Sequence, residues 1–342
     1  MASEQSNTGV VQLGEQETML KSESLFTKAL RRLRHDRLTM GAIFIIAFLA
    51  IVSISAPLVT NLLGVDPYTP DGYNAFRPLC NPFADETIPV TNSLGEVRTN
   101  AAGETLTEPN PAYLSCQSGN YLGTDDLGRD HLARLLYGGQ ISLAIGFASA
   151  IITVVIGLVL GMATGYFGGI FDDFINWVIT TLSSLPQLYL LIAIAAIFEP
   201  SPTALVFIFA ITGWTGDTRL IRGQTFSIRD LDYVMAARAL GASPLRIIRA
   251  HVFPNLISIL AVSLALSIGN IILAEAALSF LNIGVDPRVP TWGNMLTEAQ
   301  AFFRNDAIHL AIFPGLLISI TVLCLYIIGD GVRDAFDPTV ND

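Results

Sequence analysis

The chain has 342 residues, 51% hydrophobic and only 14% charged, with a net charge of −10 and a mean hydropathy of +0.54. A soluble domain carries about a quarter charged residues, so a water-soluble globular protein is excluded, and the acidic balance gives nucleic-acid binding no support. Three cysteines are too few for a disulfide-built fold, and four scattered histidines without a close acid–histidine cluster point to no metal site.

In chain order, residues 1–24 are polar and expected to be a disordered cytoplasmic N-terminus. The first apolar run lies too far into the chain for a cleavable signal peptide and should stay as an anchor. Residues 25–63 join a basic segment to the first span. The stretch 25–37, with Arg31, Arg32, Arg34 and Arg37, reads either as an amphipathic helix on the inner membrane surface or as a plain stop-transfer charge cluster. Six stretches approach the roughly 20 residues that a bilayer crossing needs: 40–63, 141–166, 174–198, 203–214, 256–283 and 308–328. Pro57 shortens the first. The fourth is short before Asp217 and should continue as helix through Arg222. The expected class is an all-α membrane protein with about six transmembrane helices, five or seven being the alternatives.

Lys and Arg set the orientation. With the N-terminus inside, inner segments hold 13 of the 19 basic residues. Segment 64–136 then becomes an extracytoplasmic loop, 137–330 the transmembrane core with a cytoplasmic loop at 215–255, and 331–342 a cytoplasmic tail. Outside, Cys80 and Cys116 either form a disulfide or remain two unpaired thiols in a loop with no evident core. Residues 130–137 read as an amphipathic helix running into the second span. Asp125, Asp126, Arg129 and Asp130 either meet a docking protein or form a network that fixes the loop.

The informative stretch is the inner loop from Asp230 to Asn255. Asp230 is placed to cap a short helix, which Ala236, Ala237, Ala239 and Leu240 propagate. Gly241 suits a left-handed helix end. After Ala242, Ser243 and Pro244 open a second helix, and Pro254 marks entry to the fifth span. A helix this short is not stable alone in water, so it is expected to dock on a partner; an ordinary surface connector is the alternative.

The pattern Ala236-Ala237-x3-Gly241-x9-His251-x-Phe253-Pro254 resembles the EAA loop of permease subunits of binding-protein-dependent ABC importers. Met235 stands where that motif usually has Glu, and Phe253 where it has Leu. Further segments resemble the dipeptide and oligopeptide permeases: Leu122-Gly-Thr-Asp-Asp-Leu-Gly-Arg-Asp130, Glu275-Ala-Ala-Leu-Ser-Phe-Leu281, Pro290-Thr-Trp-Gly-Asn-Met295 and Gly329-Asp-Gly-Val-Arg-Asp334. The resemblance covers roughly residues 25–338 and implies a type I ABC importer permease fold in a prokaryotic cell membrane. It assigns residues 235–238 and 241–244 to ATPase coupling. It also implies a second homologous permease, two cytoplasmic ABC ATPases carrying ATP and Mg, and an extracytoplasmic binding protein. Peptide is the implied substrate, with nickel, glutathione or oligosaccharide as alternatives.

Glu275 is an acid in an apolar span, which forces an interior or cavity-facing position; a substrate or gating contact stands beside a hydrogen-bonded structural role. Asp217, Arg219 and Arg222 are candidates for a gate, a cavity wall or an ATPase contact, with a plain solvated interface as the alternative. Gly157, Gly161 and Gly165 form a small-residue ridge for close helix approach. The two lysines, Lys21 and Lys28, are not preceded by glycine, so this chain has no P-loop and no cofactor or catalytic group of its own is expected. A self-contained channel or secondary transporter is the rival class, but no internal repeat or ionisable relay supports it.

Overall fold

The computed structural model describes residues 25–92, 97–100, 104–199, 201–302 and 307–336. The expectation for residues 1–24 lies outside these, as does that for the last residues of the tail.

The basic segment forms α1 (Leu25–His35), and a separate α2 (Arg37–Ile54) starts the first span. Asp36 makes the break. Its carboxylate accepts the Leu38 N–H at 3.0 Å and the Thr39 hydroxyl, satisfying the start of α2. Pro57 ends the straight run as its missing N–H requires, and the chain turns into α3 (Ala56–Leu63).

The outer loop is mostly irregular but carries a two-stranded antiparallel ladder, β1 (Thr87–Pro89) with β2 (Thr107–Pro109), and a short α4 (Pro111–Gln117). It is anchored. Cys80 is bonded to Cys116, and the Asp71 and Phe76 N–H groups donate to the carbonyls of Leu127 and Asp125 at 2.8 and 2.9 Å. Gly128 lies so close that a Cβ there would sit 1.7 Å from the Asp71 carbonyl oxygen.

α5 (His131–Phe167) is a single helix of 37 residues, joining the expected amphipathic lead to the second span. The expected third span, 174–198, is not one helix. α6 (Gly169–Ser183) and α7 (Gln187–Ala195) meet at 86°. Pro186 explains the break, since it disfavours helical geometry at the residue before it and donates no N–H. α8 (Pro202–Arg229) runs past the expected end at Arg222. Among the described residues, five helices, or six crossings counting the bent pair, are long and apolar enough to span a membrane.

α9 (Asp232–Ala239) and α10 (Pro244–Ile247) lie in the inner loop. A π-helical turn at Ile248–Val252 leads without interruption into α11 (Phe253–Phe280). That wider turn absorbs Pro254, whose ring would otherwise clash with the preceding turn of the helix. A short α12 (Trp292–Gln300) and the last span α13 (His309–Phe336) complete the chain.

The core is built by α5, α8, α11 and α13. Ile145, Leu205, Ile268, Ile272, Leu278 and Leu325 are all buried within it. The glycine ridge packs inside the subunit: a Cβ on Gly157, Gly161 or Gly165 would lie 2.5 to 2.8 Å from the side chains of Asp217, Ile221 and Thr225 on α8. Large apolar side chains such as Phe44, Leu62 and Ile170 point outward. In water these would be liabilities; against lipid or another membrane subunit they are the expected exterior.

Candidate functional site

The inner loop projects a short helix held by its root. Val234 of α9 is fully buried in a cluster with Ile221, Ile228, Ile247, Val252 and Leu256. Around it the Asn255 amide donates to the Tyr233 hydroxyl at 3.1 Å, and the Arg238 guanidinium lies 5.5 Å from the centre of the Tyr166 ring. The far side is open. Met235 is about half exposed, Leu240 is 89% exposed and Leu245 is 76% exposed. Ala236, Arg238, Gly241, Ser243 and Pro244 are also exposed, while Ala237 and Ala242 are intermediate.

Gly241 takes the left-handed conformation, with φ +84°. The N–H groups of Gly241 and Ala242 donate to the carbonyls of Arg238 and Ala237 at 3.0 and 3.1 Å, closing α9. Ser243 and Pro244 open α10 as expected, but the Ser243 side chain makes no capping bond. Asp230 is corrected. It ends α8 and pairs with Arg229 at 3.4 Å, and α9 starts from Leu231 without a side-chain cap. About two more turns of α8 than expected, from Arg222 to Arg229, move Asp230 to the end of the preceding helix.

Asp217, Arg219 and Arg222 share α8 but go to three different places. Asp217 is buried among α5, α8 and α11 and accepts a hydrogen bond from the Ser263 hydroxyl. Arg219 is exposed, its guanidinium 3.5 Å from the Ser183 hydroxyl. Arg222 makes a two-pronged ion pair with Asp172 of α6, with Nη2 to Oδ2 at 2.6 Å. Arg229 donates to the Gly165 carbonyl at 2.9 Å. Together Arg222 and Arg229 tie α8 to the α5–α6 turn. Asp172 was not singled out in the sequence; its pairing across 50 residues leaves no local signal.

Glu275 is 1% exposed. Its Oε1 accepts the Ser279 hydroxyl at 3.0 Å and the Thr291 hydroxyl at 2.8 Å. Gly293 is essential to this approach, because a Cβ there would meet the Glu275 carboxylate at 3.0 to 3.1 Å. The carboxylate therefore faces the N-terminus of α12, where helix N–H groups favour negative charge. The same helix start is tied to α5: the Trp292 N–H donates to the Ser142 hydroxyl at 3.1 Å, and its indole N–H to the Leu135 carbonyl at 3.0 Å. The bond of Glu275 to Thr291 joins α11 to the start of α12, while Glu275 Oε2 has no hydrogen-bond partner among the described residues.

On the outer side Arg134, 1% exposed, makes a two-pronged pair with Glu298 of α12 (Nη1 to Oε2 2.7 Å, Nη2 to Oε1 3.1 Å) and also contacts Asp125. Arg129 Nε donates to Asp125 Oδ2 at 2.7 Å. Asp125, Asp126 and Glu298 bring ligand atoms within 4.8 Å of one another, but two guanidinium groups already occupy the space between them. Of the two readings of Asp125 and Arg129, the geometry is that of a fixing network. Asp130 caps α5 by accepting the Ala133 N–H at 2.7 Å. Burial pushes its carboxyl up to about 6, and burial beside Asp125 and Glu298 also raises that of Asp126.

Comparison with known proteins adds to this geometry. Residues 157–342 match the family described as binding-protein-dependent transport system inner membrane component, and residues 24–82 match the N-terminal TM domain of oligopeptide transport permease C. The chain is 30% identical over 310 residues to the dipeptide transport system permease protein DppC of Bacillus subtilis, covering 91% of this chain and 84% of the relative. It is 40% identical over 224 residues to the glutathione transport system permease protein GsiD of Pectobacterium atrosepticum, covering 65% and 73%. Among solved structures it is similar to a chain of the MetNI methionine ABC transporter in an inward-facing conformation. There the TM-score is 0.48 and the identity 18%, covering 60% of this chain and 97% of that one.

Proposed function

Because this chain belongs to the binding-protein-dependent transport system inner membrane component family and is a non-catalytic permease subunit of an ABC importer, we propose that it carries peptides inward by alternating access. Such permeases work with separate ATPase subunits and a substrate-binding protein. In the proposed assembly a second, homologous permease completes the path, two cytoplasmic ATPases bind ATP and Mg, and a binding protein delivers peptide from outside. Both termini face the cytoplasm, as the distribution of Lys and Arg favours.

The observation that carries this reading is the inner loop. α9 is rooted by Val234, and Leu240 at its end and Leu245 on α10 face the aqueous side with no cover among the described residues. Apolar side chains held out on a short helix suit insertion into a partner's groove. Met235 in place of an acid leaves that contact without an ion pair at this position. Closure of the ATPase pair on ATP then moves α9, and the buried root passes the displacement to α8 and α11.

The test is a double replacement, Leu240→Asp with Leu245→Asp, in the complete importer. Burying two carboxylates in an apolar groove should abolish co-purification of the ATPase subunits while the permeases still assemble. Full recovery of the ATPases would sink the docking assignment. Uptake of short peptides by the wild-type complex, with glutathione as competitor, decides the substrate, since relatives of both kinds stand at 30% identity or more.

A further inference from the structure

A cavity of about 550 Å³ lies where the α6–α7 break meets α5, α8 and α11. Ser183, Gln187, Thr215, Ser267 and Asn270 line it with neutral polar groups, in a region whose outer surface is apolar. Asp217 is the single ionisable side chain among the described lining residues. It is 8% exposed. One carboxylate oxygen accepts from Ser263, and the other has no hydrogen-bond partner among the described residues. Of the nearby cations, Arg222 is engaged with Asp172, while Arg219 reaches Ser183 on the cavity wall. An acid within a membrane segment is costly unless it faces a cavity or a partner charge. Here it borders the cavity, its second oxygen is covered, and it has no ion-pair partner among the described residues. The volume suits a small ligand.

We propose that this cavity is a way station on the transport path, in which Asp217 is the counter-charge for the ammonium group of the substrate. The substrate class is then a small peptide with an unblocked amino terminus. The neutral polar wall accommodates the peptide backbone without selecting a side chain. This inference rests on the reading of the chain as a peptide permease. Its rival is that Asp217 only braces α8 against α11 through Ser263.

The experiment uses the complete importer in liposomes. Ser267→Cys places a thiol in the cavity wall, while Cys324 is buried and Cys80 and Cys116 are bonded to each other. With Asp217 present, a cationic methanethiosulfonate should modify that thiol about tenfold faster than an anionic one. Asp217→Asn, which keeps an acceptor for Ser263, should erase the preference; Asp217→Glu and Ser263→Ala should keep it. A dipeptide with a free amino terminus should protect the thiol, and its N-acetylated form should not. Equal reaction rates, or a preference that survives Asp217→Asn, overturn the counter-charge. Equal protection by both dipeptides overturns the ammonium assignment alone. Absence of uptake of any peptide by the wild-type complex overturns the peptide reading and this inference with it, whatever the reagent rates.

Discussion

Arg134 is the side chain with the most at stake on the outer face. It is 1% exposed and meets Asp125 and Glu298 together. Arg134→Ala should lower the stability of the purified complex by about 3 kcal/mol, because removing one partner leaves buried carboxylates uncompensated. A thermal melt checks this, and adding Glu298→Ala should cost much less than the sum of the two single losses. Asp130 adds a pH dependence. Its folded-state carboxyl titrates at about 6 against an ordinary value of 3.8, so the folded protein holds a proton that the unfolded chain releases. The stability contributed is complete below about pH 4 and fades as pH rises through about 6. Asp130→Asn retains the cap and removes this loss, so its melting temperature should exceed wild type at about pH 7 and change less with pH. A profile parallel to wild type would show that the carboxylate is hydrated in place. The sequence made Asp125, Arg129 and Asp130 visible as a charged knot beside the second span. Glu298 stayed hidden, since it reaches Arg134 across 164 residues, and nothing local marks an ion pair closed only by folding.

Among elements, the contact of α5 with α8 is the most exacting. Gly161→Val would drive a Cβ to 2.8 Å from that of Ile221 and should destabilise by about 1–3 kcal/mol through overpacking. Gly223→Ala on the open side of α8 meets nothing within 4 Å and should be near neutral. Comparing the melting temperatures of the two variants decides whether the ridge acts by packing within this subunit. Gly241→Val meets no neighbour either; its cost comes from the left-handed backbone, roughly 1–2 kcal/mol. That biases the end of α9 by about 5- to 30-fold, so ATP hydrolysis should continue while uptake falls. Unchanged coupling between the two would remove α9 from the power path. The Gly-Ser-Pro break was legible because each residue type has one preferred place at a helix boundary. The 86° bend at Ser184–Pro186 was not, because an apolar run of the right length reads as one span whether or not it is straight. Pro186 was the available sign.

At the scale of the molecule, the bonded pair Cys80–Cys116 bears on the proposed polarity. Disulfides persist in oxidising compartments, which supports the proposed placement of this loop outside, as does the Lys and Arg distribution. Denaturing alkylation without reductant should modify one cysteine of the three, Cys324; modification of all three would place that loop on the reducing side. Membrane residence and span positions could be read from composition, since a bilayer sets a length that hydropathy alone reports. How the spans touch depended on glycine placement and on ion pairs between distant segments. The length of α5 carries a mechanical consequence. At 37 residues it extends about 55 Å, while the hydrocarbon core is about 30 Å thick, so one rigid rod emerges on both sides. Its outer end is clamped to α12 through Arg134, and its inner end is tied to α8 through the Gly165 carbonyl. Pivoting near its middle, such a rod converts a tilt of about 10° into opposite displacements of roughly 5 Å at its two ends. In the proposed alternating access, widening the path at one end of α5 then narrows it at the other, so a leak through both at once is opposed by geometry rather than by timing.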